Sequence, residues 1–190
     1  VILTTLMAHP RKLIRHAVVS LFTSAGTAAG TRVKATRIEP HKRSQLPAIS
    51  VYTLTDTVIE ASSTNTEEAH ELRLEVALWV AHTDANPADD GVDDLEEQVL
   101  AAMVADPYLG GRASSVHFRG TEIEIVEDDS RSDPIVAIAT LTFEVAYRLD
   151  LTALADDLDD LIRVAATHDL VGGVPTTAPA SDEFIVQETP

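Results

Sequence analysis

Between residues 70 and 149 the hydrophobic period of the chain changes three times across short turns, and this succession restricts the fold more than any other feature. The block HELRLEVALWVAHTD alternates strictly: Leu72, Leu74, Val76, Leu78 and Val80 face one way, Arg73, Glu75, Ala77 and Trp79 the other. That is a strand with one core face and one partly wet face. NPADDGVDDLEEQVLAAMVADPYLGG follows with a helical period, Val92, Leu95, Val99 and Met103 forming its buried stripe. Asn86-Pro87 or Asp90 starts this helix, Asp90 with Asp93 giving an acidic first turn, and Asp106-Pro107 with Gly110-Gly111 ends it. In GTEIEIVEDDSRSDPIVAIATLTFEVAYRLD, alternation predicts strands at about 117–127 and 135–149, joined as a hairpin through DDSRSDP. The odd-numbered residues from Ile135 to Leu149 share one face of a strand long enough to bend or to reach beyond its sheet.

The flanks extend this order. A first helix is predicted over residues 10–24, with Pro10 in its first turn and Leu13, Ile14, Ala17, Val18, Leu21 and Phe22 as its apolar stripe. Arg11, Lys12, Arg15 and His16 make its other face basic. Gly26 and Gly30 mark a turn, residues 32–38 alternate weakly, and Pro40 closes them as an edge strand or loop. After Pro47, AISVYTL reads as a strand with Ile49, Val51 and Thr53 on one face. Residues 55–69, rich in Thr, Ser and Glu, read as a long flexible loop. Asp150 is placed to cap a third helix with Leu151, Leu154, Leu158, Leu161, Ile162 and Ala165 as its stripe. Residues 171–190 turn to Gly, Pro, Thr and Ala, an arm whose short apolar patch, Phe184, Ile185 and Val186, could add a strand to a neighbour or fill a pocket. The order α-β-β-β-α-β-β-α predicts an α+β domain over 1–170, its mostly antiparallel sheet packed against helices, and an extended arm over 171–190.

Charge is segregated along the chain. The total is −17, yet residues 1–46 carry +7 and the remainder −24. A basic surface on one subunit can meet an acidic face on another, so Arg11, Lys12, Arg15, Lys42 and Arg43 are candidate subunit or partner contacts. Nucleic-acid binding by the whole chain is disfavoured, because most of it would repel phosphate. VILTTLMA is too short an apolar run to span a bilayer, and the basic cluster follows it where a secretory leader would put it first. A soluble protein made in the cytoplasm is the expectation.

Recognisable chemistry is sparse. The chain has no cysteine, which excludes disulfides, thiolate metal sites and cysteine nucleophiles. Its seven histidines show no zinc-ligand spacing, and there is no phosphate-binding glycine-lysine run, dinucleotide fingerprint or serine elbow. The carboxylates between Asp84 and Glu97 invite a calcium reading but fail it. Counting from Asp84, the fifth position is Ala88, the sixth Asp89 in place of glycine, and the twelfth Leu95. A solvated acidic helix start is the preferred account, and a carboxylate-based divalent-metal enzyme the weakest of the functional alternatives.

The basic first helix, PAISVYTL, HELRLEVALWVAH, DDLEEQVLAAMVADPYLGG and the closing paired strands, taken in order, resemble the tail-terminator family of long-tailed bacteriophages. These are the minor-tail-protein-U-like, or tail-completion, proteins, and the likeness covers roughly residues 9–149. The resemblance implies a structural virion protein at the head–tail junction, not an enzyme and without cofactor or membrane. It implies a homo-hexameric ring that caps the tail tube protein and offers the head–tail connector a docking surface, DNA passing through the lumen in transit. Another neck or connector subunit is the alternative. The helix after Asp150 and the arm depart from the family's short pattern.

Overall fold

The computed structural model describes residues 8–36, 41–61, 66–126 and 135–152. Helix α1 (Pro10–Ser24) leads to a short strand β1 (Val33–Ala35), a single 3-10 turn (Arg43–Gln45), and the long strands β2 (Ala48–Ala61) and β3 (Glu67–His82). Helix α2 (Ala85–Ala105) then precedes β4 (Ser115–Val126) and β5 (Ile135–Asp150). The five strands form one mixed sheet in the order β1-β2-β3-β5-β4. Only β1 against β2 is parallel among these pairings, so the sheet is mostly antiparallel and the fold is α+β, as the sequence predicts.

Both helices pack against one face of the sheet. Alternation sends Leu72, Leu74, Val76 and Leu78 of β3 to that face, with Ala137, Ala139, Leu141, Phe143, Val145 and Tyr147 of β5 beside them, all buried. From above, α1 contributes Ile14, Val18 and Phe22, and α2 contributes Ala88, Val92, Leu95, Val99, Ala102 and Met103. Each large side chain so buried stabilises the fold by about 1.5–3 kcal/mol. Gly91 lets α2 lie close on β3, since a Cβ there would stand 3.0 Å from Val80 Cγ1. Beyond α2, Asp106 accepts a hydrogen bond from the Gly110 amide at 2.8 Å, and Leu109 plugs into the core. Gly110 and Gly111 take φ of 64° and 80°, the left-handed region that glycine enters without strain.

Four expectations need correction. The polar stretch over residues 55–69 is mostly strand: β2 continues to Ala61 and β3 begins at Glu67. Register shifts between Thr53 and Asp56 and between Val58 and Glu60 break the alternation there, which hides a strand rich in Thr, Val and Ile. Helix α2 starts at Ala85, so Asp90 does not open it. Of the two expected starts Asn86-Pro87 is the right one, Pro87 falling in the first turn, where a missing N–H costs nothing. Strand β5 does not reach beyond the sheet, because its residues pair with β3 from Ile135 opposite His82 to Asp150 opposite Glu67. On α1, Leu13 is 40% exposed and outside the core.

Asp150 Oδ1 accepts from the Thr152 amide at 2.9 Å and from the Thr152 hydroxyl at 2.6 Å. The rest of the expected third helix, and the arm over 171–190, lie outside the described residues.

Phe143 sits at the centre of the core, its ring 5.5 Å from that of Phe118. We expect Phe143→Ala to cost about 3–5 kcal/mol in urea unfolding, against less than about 0.5 kcal/mol for Leu13→Ala. Equal losses would contradict this assignment of the core.

Candidate assembly surfaces

The bulge in β2 has a local consequence. By shifting the register it turns Asp56 toward the helix-covered face, opposite Leu72. There Asp56 Oδ2 accepts a hydrogen bond from the Tyr147 hydroxyl at 2.7 Å and lies 3.4 Å from Arg11 Nε. Its Oδ1 is 3.0 Å from His70 Nδ1, and His70 Nε2 is 3.1 Å from Glu68 Oε2. Carboxylates only accept, so both contacts are hydrogen bonds when both ring nitrogens carry hydrogen. The His70 ring stacks on Tyr147 with centroids 4.9 Å apart. Burial, and then the bond to Asp56, pushes the Tyr147 phenol well above its ordinary pKa and keeps it a neutral donor.

This network fastens the start of α1 to the sheet. Arg15 Nη1 adds a 2.8 Å hydrogen bond to Thr53 Oγ1. His9 caps the helix, its Nδ1 accepting from the Arg11 amide at 3.2 Å. Burial, followed by the Arg11 charge, lowers the His9 pKa, which favours the unprotonated ring that can accept.

The five basic candidates therefore do not form one patch. Arg11 and Arg15 turn toward β2 of their own chain, while Lys12 is exposed on the crest of α1. Lys42, exposed, and Arg43, half-buried, sit near the opposite end of β2, where His41 Nε2 is 2.8 Å from Ser50 Oγ. Phe184, Ile185 and Val186 lie outside the described residues.

A second surface occupies the other edge of the sheet. Helix α2 carries six carboxylates and no basic residue, and its outer flank leaves a groove of about 650 Å³ against the edge strand β4. Leu100, Val104 and Ile123 give the groove apolar walls, and Asp93, Glu96 and Glu97 rim it. Val104 is 78% exposed, and Ile125 and Phe118 on β4 are also open. The Thr121 hydroxyl donates to Glu96 Oε1 at 2.6 Å and ties strand to helix.

The sheet face away from the helices carries ion pairs. Arg119 grips Glu144 with two nitrogens and holds that carboxyl below its usual pKa. Arg73 pairs with Glu75 at 2.7 Å and Arg148 with Glu67 at 3.3 Å. Exposed pairs of this kind are each worth about 0–1 kcal/mol, so they solubilise this face more than they stabilise it. Among the described residues, no group of three or more His, Asp or Glu side chains is placed to hold a metal ion, and no helix is long and apolar enough to cross a membrane.

The sequence reading missed Asp56, Glu68, His70 and Tyr147 as a unit. A signal existed for two of them, since His70 and Tyr147 occupy core-facing positions in otherwise apolar alternations. Asp56 and Glu68 fell inside the stretch read as a loop.

No protein-family model matches the chain, and no curated protein matches it. Among solved structures, a chain from the virion of a native gene transfer agent particle is similar, with a TM-score of 0.49 and 14% sequence identity. The alignment covers 75% of the present chain and all of that one.

The Tyr147 phenol gives a pH signature. A group whose pKa rises on folding contributes stability that is complete below its unfolded value, about 10 for tyrosine, and is lost as pH climbs toward the folded value. We expect thermal stability to fall above about pH 10, and Tyr147→Phe to flatten that part of the profile while lowering stability at neutral pH by about 1–2 kcal/mol. An unchanged alkaline slope in Tyr147→Phe would count against the network.

Proposed function

We propose that the chain is a structural subunit of a phage-type particle, and within that class a tail-terminator ring protein. The observation that carries the reading is the order of elements. PAISVYTL opens β2, HELRLEVALWVAH lies in β3, DDLEEQVLAAMVADPYLGG makes most of α2 and the turn after it, and the closing segment forms the β4–β5 hairpin. These are the segments on which the resemblance rests.

Two physical features support it. The side chains with interaction potential are distributed over surfaces: a basic helix, an acid-rimmed groove beside an unpaired strand edge, and a charged sheet face. The net charge of −17 suits a ring through which DNA slides without being held, since an acidic wall repels phosphate. In this reading the protein carries out no catalytic step and binds no cofactor. Its partners are further copies of itself, the tail tube protein and a head–tail connector, and its place is the head–tail junction of the virion.

Adding the purified protein to polymerising tail tube protein tests this directly. Tubes should stop growing and carry one terminal ring, whose mass by native mass spectrometry corresponds to six protomers of 20.4 kDa. Tubes of unrestricted length would refute the terminator role. A ring of another copy number that seats on the capsid side would favour the alternative, a different neck or connector subunit.

A further inference from the structure

The two charged surfaces stand at opposite edges of one sheet. Helix α1 packs over β1 and β2, whereas α2 packs over β3 and β5 and borders β4, so the order β1-β2-β3-β5-β4 sets the basic flank and the acid-rimmed groove on opposite sides of the subunit. This edge shows exposed Lys12 on α1 and exposed Arg32 and Lys34 at β1, Lys34 on the sheet face away from α1 because its neighbour Val33 enters the core, and α1 holds no acidic residue. On the other side, α2 holds no basic residue, and exposed Asp93 and Glu97 stand one helical turn apart at the rim of the groove.

We propose that the α2–β4 groove of one subunit receives the α1–β1 flank of a second copy of this chain, and that this head-to-tail contact is the seam of the assembly. The proposal deepens the ring reading and rests on it for the identity of the partner.

Three arguments favour a second copy over other occupants. Charge is complementary between the two edges, which orients the encounter and penalises groove-to-groove and flank-to-flank pairing. The surfaces are different and lie on opposite sides, the arrangement that produces heterologous contacts, which close into rings when the rotation permits. The chain's own continuation beyond β5 is a poor occupant, because Asp156, Asp157, Asp159 and Asp160 would approach Asp93 and Glu97. Val104, Leu100 and Ile123 supply the apolar area that charge alone does not.

A charge-exchange experiment tests the seam. One variant carries Asp93→Lys and Glu97→Lys; the other carries Lys12→Glu and Lys34→Glu. Each alone opposes like charges at every contact and should sediment as a monomer under conditions where the wild type assembles. Mixed in equal amounts, each acidic surface meets a basic one, so an alternating assembly of wild-type size should return. Raising salt should weaken wild-type assembly, because the rim charges are exposed. Val104→Asp should also reduce assembly, with an unchanged thermal melt.

Single variants that assemble as the wild type does would overturn the seam while leaving the terminator reading intact. So would a mixture of two normally melting variants that stays monomeric. A wild type that remains monomeric at all concentrations and salts would overturn self-association through these edges, and tube capping then decides separately whether the terminator reading survives.

Discussion

The pairing of β3 with β5 is the constraint on which the other elements depend. The two strands match residue for residue without a bulge, from Glu67 opposite Asp150 to His82 opposite Ile135. Because side chains alternate, a slip of one residue would carry Leu72 through Leu78, or Ala137 through Tyr147, from the core to the wet face. The hydrophobic pattern of both strands thus fixes one register. Strand β2 can then add only outside β3, and β4 only outside β5. Helix α2 leaves the top of β3 and descends over the sheet to deliver β4 parallel to β3, with β5 filling the space between them.

Near one end of this framework the core gives way to polar chemistry. Asp56, His70, Tyr147 and Glu68 form one cluster that joins β2, β3 and β5, and the ion pair of Arg11 with Asp56 ties α1 to it. An apolar plug would bury more area, but the cluster does something an apolar plug does not. Its bonds require α1 to begin at one position, since Arg11 reaches Asp56 and Arg15 reaches Thr53 only when His9 and Pro10 open the helix. Beyond Asp56, Val58 and Ile59 are exposed among the described residues while β2 and β3 stay paired to Ala61 opposite Glu68. The network therefore closes the core where α1 begins.

Legibility in the sequence followed the regularity of each element. Helix α1 and strand β5 could be read nearly to the residue, because their apolar periods run unbroken between clear terminators. The end of β2 could not, since its bulges at residues 53–56 and 58–60 shift the facing residue, so that Leu54, Val58 and Ile59 keep no period of two and stand exposed. Losing that strand also lost the network, because Asp56 acquires its partners only through the bulge. The charge asymmetry was plain in the sequence, but which cations face outward was not. Arg11, Lys12 and Arg15 look equivalent on a helical wheel, and only the bonds to Asp56 and Thr53 separate them.

That separation bears on why α2 keeps its acidic face. Asp89 with Asp93, Asp90 with Asp94, and Asp93 with Glu97 are like charges one turn apart, each costing the helix about 0.2–0.5 kcal/mol. Within the subunit Arg11 and Arg15 are directed to Asp56 and Thr53, so these basic groups do not relieve that repulsion. If the proposed seam forms, the basic flank of a second subunit is the charge that relieves this repulsion. The same repulsion would keep free subunits from stacking at random, because acidic grooves repel each other until an edge of opposite sign arrives. The instability of the isolated helix face and the selectivity of the assembly would then share one electrostatic origin.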